Sequence, residues 1–256
     1  MSDLELLTYY LGIEVTQTDG DISIKQSAYA NKILKEAGML HCNETLLPMD
    51  PGTRLTKSFH ARTKRATYEG YKTSTTLYKR NKDYGITYMH NKGNKIHGFS
   101  DSSYGVNTQE GKGTPGIIFY YGELPISWSI QKQATVPLSS CESKFIEATT
   151  VATQELWLKR LLSKLTHSQE EKVIIKVDNK SAIALMKNPV LHGRSKHIDT
   201  KYQFIRECVE REDIQVKFVS GEYQRVDILT KSLPKIKFLT MIQLIGLKDL
   251  RRSDCD

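Results

Sequence analysis

Alternating apolar and polar residues over Ile22-Ser23-Ile24-Lys25-Gln26 predict a half-buried strand. The run from Tyr9 to Val15 predicts a second strand, joined to it by a turn at Thr18-Asp19-Gly20-Asp21 in which Gly20 suits a positive φ. A helix follows, with Ser27 as N-cap, Tyr29, Ile33, Leu34 and Ala37 on one face, and Gly38 as its stop. Residues 1–50 thus read as a hairpin plus helix, too small to stand alone. Over residues 51–82 large apolar residues are sparse and without steady period, which predicts a poorly ordered linker, helical near its end.

Pattern returns at residue 84. Tyr84–Met89, Lys95–Ser100, Gly116–Tyr121 and Pro125–Ser129 read as strands, the last two joined by a turn at Gly122-Glu123. A long helix is predicted from Ser140 to Leu165, with Phe145, Ala148, Ala152, Leu156, Leu158, Leu161, Leu162 and Leu165 as its apolar face. Val173–Val177 is apolar except for Lys176 and reads as a central buried strand. Then come helices over 181–186 and 197–211, a strand over 214–219, and helices over 225–230 and 236–245. Strands mixed with helices in this order make the chain α/β.

The chain has 256 residues, 39% hydrophobic and 26% charged, enough for a globular core. Its net charge of +8 favours an anionic partner, nucleic acid first. Arg54, Lys57, Arg62, Lys64, Arg65, Lys72, Lys79, Arg80 and Lys82 crowd the linker, but no aromatic residues interleave regularly, so a solvated charge run explains it better than a nucleic-acid patch. Cys42, Cys141, Cys208 and Cys255 form no CxxC pair, which fits a reducing compartment without disulfide framework or zinc site. The N-terminus lacks the pattern of a signal peptide, and no apolar stretch is long enough for a membrane span, so an intracellular protein without a membrane partner is expected.

Four acids carry the candidate chemistry: Asp101, Glu142, Asp178 and Asp227. They follow one another on a strand end, a helix, a strand end and a helix, where an open α/β sheet binds ligands. Such a carboxylate nest suits two divalent ions that activate a water and stabilise a leaving oxygen in phosphodiester cleavage. Each acid also has a plainer reading. Glu142, three residues after Ser139, fits a capping box. Asp178 fits an N-cap, Asp101 a turn and Asp227 a solvated helix face.

Several segments carry a family resemblance. Tyr10-Leu11-Gly12-Ile13-Glu14-Val15, Gln26-Ser27-Ala28-Tyr29-Ala30 and Pro48-Met49 resemble the stretch downstream of the polymerase active site in copia-type retrotransposon reverse transcriptases. Phe99-Ser100-Asp101, Ile126-Ser127-Trp128, Lys132-Gln133, Leu138-Ser139-Ser140-Cys141-Glu142, Val177-Asp178-Asn179-Lys180-Ser181-Ala182-Ile183-Ala184, Lys196-His197-Ile198-Asp199 and Val226-Asp227-Ile228-Leu229-Thr230-Lys231 resemble the ribonuclease H domain of the same Pol polyproteins. The resemblance implies an RNase H-like mixed five-stranded sheet flanked by helices over 83–247, preceded by a truncated reverse-transcriptase remnant over 1–50 and the linker over 51–82, and followed by a tail over 248–256. It implies that Asp101, Glu142, Asp178 and Asp227 hold two Mg²⁺ or Mn²⁺ ions and that the RNA strand of an RNA–DNA hybrid is cut. Arg194, Lys196 and His197 become candidates for nucleic-acid phosphate contact, although a polar helix start explains them equally. Trp128 is expected in the core.

The chain also departs from the family pattern. It has no Tyr-x-Asp-Asp hairpin, so polymerase activity is not expected. Ser102-Ser103-Tyr104-Gly105 replaces an acidic, Trp-bearing sequence, Ser143-Lys144-Phe145 replaces Ala-Glu-Tyr, and Pro115 and Pro137 are additions. The expected function is therefore a retrotransposon-derived RNase H-like endonuclease, located in the cytoplasm within virus-like particles or in the nucleus, with other Pol or Gag segments as further partners. The alternative is a noncatalytic nucleic-acid-binding remnant or an inactive pseudogene product. An integrase is disfavoured because its helix acid comes third, not second.

Overall fold

The computed structural model describes residues 6–48, 77–90, 95–103, 114–131, 136–167, 172–187 and 199–252. Most of the basic linker, and Arg194, Lys196 and His197, lie outside the described residues. Residues 77–81 are helical, as expected for the linker's end. The chain divides into two compact units, residues 1–92 with 232–256, and residues 93–231.

In the first unit an antiparallel sheet runs β1(Tyr9–Tyr10), β2(Ile13–Gln17), β3(Asp21–Lys25), β4(Tyr84–Met89), β10(Lys248–Asp249). The run from Tyr9 to Val15 is broken at Leu11-Gly12, both at positive φ, where only Gly is at ease. The turn between β2 and β3 is held by Thr18, whose hydroxyl accepts from Asp21 N at 3.2 Å, and Gly20 does not use positive φ. Helix α1(Ser27–Glu36) begins one residue earlier than expected, with Gln26 at the N-cap and no side-chain cap. It buries Ala30 and Leu34 rather than Tyr29, and Gly38 leaves it at φ +66°.

The strand over 84–89 exists as predicted, but it pairs with β3 instead of joining the ribonuclease H-like sheet. Ser23 and Thr87 share a hydroxyl hydrogen bond of 2.9 Å across that pair. Lys248-Asp249, expected in a tail, pairs with β4. Local pattern predicts that a strand forms, whereas its partner is settled by long-range pairing.

The second unit holds a mixed five-stranded sheet in the order β7-β6-β5-β8-β9, built from β5(Ile96–Ser103), β6(Thr114–Tyr121), β7(Leu124–Ile130), β8(Val173–Val177) and β9(Ile214–Phe218). The hairpin-linked strands β5, β6 and β7 are antiparallel, and β8 and β9 run parallel to β5. Helices α2(Ser140–Thr166), α3(Lys180–Lys187) and α4(Asp199–Glu210) supply the crossovers that parallel pairing needs. Ile117, Phe119, Ile175, Val177, Ile214 and Val216 of the sheet close a core with Phe145, Ile146, Ala148, Val151 and Ala152 of α2, Ala182 and Met186 of α3, and Ile205 and Cys208 of α4. This is the RNase H-like fold the resemblance implies.

Two expectations about packing fail. The far end of α2 is not buried: Leu161 is 38% and Leu165 67% exposed, while Glu147, Glu155 and Lys159 lie inside. The sheet beneath α2 is shorter than the helix, so its last turns project past the core. Trp128 is 56% exposed because it lies on β7, an edge strand.

Candidate active site

Asp101 lies within β5, two residues before its end, and is 1% exposed. Asp178 directly follows β8, the parallel neighbour of β5, where Ser100 pairs with Val177. Asp227 opens the short helix α5(Asp227–Thr230) and is 2% exposed, not a solvated helix acid. Two contacts bring α5 to the sheet. Gln224, fully buried, donates from Nε2 to Ser100 O at 2.9 Å. Gly116 of β6 lies so close to α5 that a Cβ there would stand 2.6 Å from Thr230 Cγ2 and 2.7 Å from Val226 Cγ1.

Three of the four acids therefore converge, and two lysines join them. Lys144 of α2 donates to Asp101 Oδ1 at 2.8 Å and also to Asp178 Oδ1. Lys231, just past α5, contacts Asp101 Oδ2 at 2.9 Å and Asp227 Oδ1 at 2.7 Å. Thr230 Oγ1 adds a donor to Asp101 Oδ2 at 3.2 Å. Burial alone would push the Asp101 carboxyl up, but Lys231 and Lys144 outweigh it and hold the group below its ordinary value. Burial likewise pulls Lys231 down, and Asp101 with Asp227 more than reverses this, so its ammonium is held well above its ordinary value.

Glu142 does something different. It is the third residue of α2, whose N-cap Ser139 accepts from Glu142 N at 3.1 Å through its hydroxyl. The Glu142 carboxylate reaches back to accept from Leu138 N at 2.8 Å. The capping geometry anticipated for Ser139 and Glu142 is thus present, shifted by one residue from the usual box. At the next helix the cap is Asn179, whose Oδ1 accepts from Ala182 N at 2.9 Å, leaving Asp178 to face Lys144.

The sequence marks Lys144 only within the departure Ser143-Lys144-Phe145, and Lys231 only within the segment Val226-Asp227-Ile228-Leu229-Thr230-Lys231. Lys231 is four residues after Asp227, a spacing at which helical side chains meet, so that tie was legible. Nothing local announces that Lys144 spans two strands.

Further along α2 two more acids are buried, Glu147 and Glu155. Burial pushes the Glu147 carboxyl up to about 8; Lys201 opposes the shift and the charge of Asp101 adds to it. Glu155 is fully buried and raised well above its ordinary value by burial. Gly98 makes room for it: a Cβ on Gly98 would stand 2.3 Å from Glu155 Oε1.

The donor chemistry at Asp101, Asp178 and Asp227 fits a hard divalent ion, which prefers carboxylate oxygen. The geometry offers this as two carboxylate pairs sharing Asp101, each pair spanned by an ammonium. Among the described residues, no group of three or more His, Cys, Asp or Glu is arranged to hold a metal ion. No helix among them is long and apolar enough to cross a membrane.

Residues 1–51 match a family profile described as reverse transcriptase (RNA-dependent DNA polymerase). A retrovirus-related Pol polyprotein from transposon TNT 1-94 of Nicotiana tabacum is 36% identical over 152 residues, 59% of this chain and 11% of the relative. One from transposon RE2 of Arabidopsis thaliana is 29% identical over 282 positions, 95% of this chain and 19% of the relative. The chain thus spans about a tenth to a fifth of the length of these relatives. Among solved structures, an N-terminal RNase H domain from Mycobacterium tuberculosis aligns at TM-score 0.39 and 11% identity, over 59% of this chain and 98% of that one. RNase H1 from Halobacterium salinarum aligns at 0.38 and 8%, over 57% and 98%. The strand order and pairing of the second sheet, rather than these superpositions, define its RNase H-like architecture. Along nearly all of its length the chain is similar to a segment of the retrovirus-related Pol polyproteins of copia-type transposons, and a Pol polyprotein fragment is what these matches support.

Proposed function

We propose that the RNase H-like unit cleaves the RNA strand of RNA–DNA hybrids, as part of a retrotransposon Pol polyprotein and without polymerase activity. The observation that supports this best is the convergence of Asp101, Asp178 and Asp227, from three separate elements, on two cationic groups. Two ammonium nitrogens between carboxylate pairs mark two positions that favour a cation. Asp101, Asp178 and Asp227 would hold Mg²⁺ or Mn²⁺ there, and Glu142, at the start of α2, is proposed as a fourth ligand. Bound ions of this kind supply a more acidic water and charge neutralisation at the phosphate.

The chain's own groups have separate tasks. Asp101 is shared by both positions, and its burial keeps solvent from the carboxylate. Gln224 and Gly116 set the distance of Asp227 from the sheet. Arg194, Lys196 and His197 are proposed to contact the hybrid backbone, whose 2′-hydroxyls along a wide minor groove distinguish it from DNA. Other Pol or Gag segments are proposed partners.

The test is release of labelled RNA from a hybrid in Mg²⁺, for wild type and Asp178→Asn. Loss of cleavage in the variant is expected. Equal activity in the two would remove the catalytic assignment.

One observation favours a second reading, a noncatalytic hybrid-binding unit: Lys144 and Lys231 already neutralise the carboxylates. On that reading, hybrid binding weakens steeply with salt and no cleavage accompanies it.

A further inference from the structure

We propose that Lys144 is a built-in competitor for one of the two cation positions, so that metal reaches the Asp101–Asp178 pair only when this side chain withdraws. The inference rests on the metal-binding reading above and concerns the regulation of that same site. Lys144 Nζ lies between the two carboxylates, 2.8 Å from Asp101 Oδ1 and in contact with Asp178 Oδ1. Its side chain is 13% exposed, so the ammonium is committed to this position and not to solvent.

The helix does not explain a lysine there. Lys144 is the fifth residue of α2, near the positive end of the helix dipole, where a cation gains nothing. It is two residues from Glu142, a spacing that turns the two side chains apart. The carboxylates remain as its partners. They explain its placement as they would explain a metal ion's, because Asp101 is buried and needs a counter-charge.

Lys231 serves the other pair and differs in kind. It is 38% exposed and is tied to Asp227 within one helical turn. Withdrawal into solvent is open to Lys231 directly, whereas Lys144 must leave a largely enclosed contact. The Asp101–Asp178 position is therefore the harder of the two to load.

The test is calorimetric titration of Mn²⁺ and Mg²⁺ into the full chain, with thermal melting in each metal and in EDTA, for wild type, Lys144→Met and Lys144→Arg. Methionine keeps the stem and removes the charge. Lys144→Met is expected to bind Mn²⁺ about tenfold or more tightly than wild type, since a charge-assisted contact no longer competes. Its melting temperature should rise more with metal than that of wild type or Lys144→Arg, in which only the Asp101–Asp227 position is open to loading. If Lys144→Met is unfolded in EDTA, refolding on addition of Mn²⁺ reads the same exchange; failure to refold overturns the proposal. Equal Mn²⁺ affinity in wild type and Lys144→Met overturns it while leaving the metal site intact. Absence of binding in all three overturns the metal reading as well.

Discussion

Replacing Glu147 by glutamine removes a buried titrating group of α2 and leaves its shape. Burial raises this carboxyl from 4.5 to about 8 in the folded chain. The folded state therefore holds a proton that the unfolded state releases above pH 4.5. Stability must fall as pH rises through that window, and the loss is complete above the folded value. One pKa unit corresponds to about 1.4 kcal/mol, so between pH 5 and pH 7 the wild type should lose about 2–3 kcal/mol through this residue. Glu147→Gln has no such slope. Glu155 is also buried and raised, but it titrates in both proteins and cancels in their difference. Urea unfolding followed by circular dichroism at pH 5, 6 and 7 gives the comparison. Parallel stability profiles for the two proteins would refute the reasoning, because they would mean that Glu147 ionises alike in the folded and unfolded chain.

Other outcomes follow from particular contacts. Gly98→Ala drives a Cβ to 2.3 Å from Glu155 Oε1 and 3.2 Å from Phe119 Cδ1; overpacking of this kind should cost about 1–3 kcal/mol in chemical denaturation. Ser139→Ala removes the hydroxyl that accepts from Glu142 N and should cost about 1 kcal/mol. Burial, with Lys176 and Arg225 adding to it, lowers His97 to about 4. The unfolded chain takes a proton below pH 6.5 that the folded chain refuses, so this residue costs stability as pH falls from 6.5 to 4. A nuclear magnetic resonance titration placing the His97 ring near 6.5 would contradict that burial effect.

Much of the secondary structure was legible because it rests on local pattern. Alternation over Ile22–Lys25 and the apolar run Val173–Val177 each became a strand, and Ser139 with Glu142 marked the start of α2 within a residue. The four acids could be singled out by element order. Their surroundings could not be read, because Lys144 touches Asp101 and Asp178 across 43 and 34 positions of chain. Trp128 and Leu165 look like core residues by chemistry, yet an edge strand and an overhanging helix leave both in solvent.

The sequence by itself determined which segments form strands and helices, the basic charge of the chain and the order in which its acids occur, since these depend on neighbours along the chain. The tertiary structure decided which sheet β4 joins, which side chains share a buried space, and that two lysines stand between the carboxylates. The reason is physical: a carboxylate's partner depends on what packing brings within 3 Å, and desolvation then makes a counter-charge necessary wherever the acid is buried.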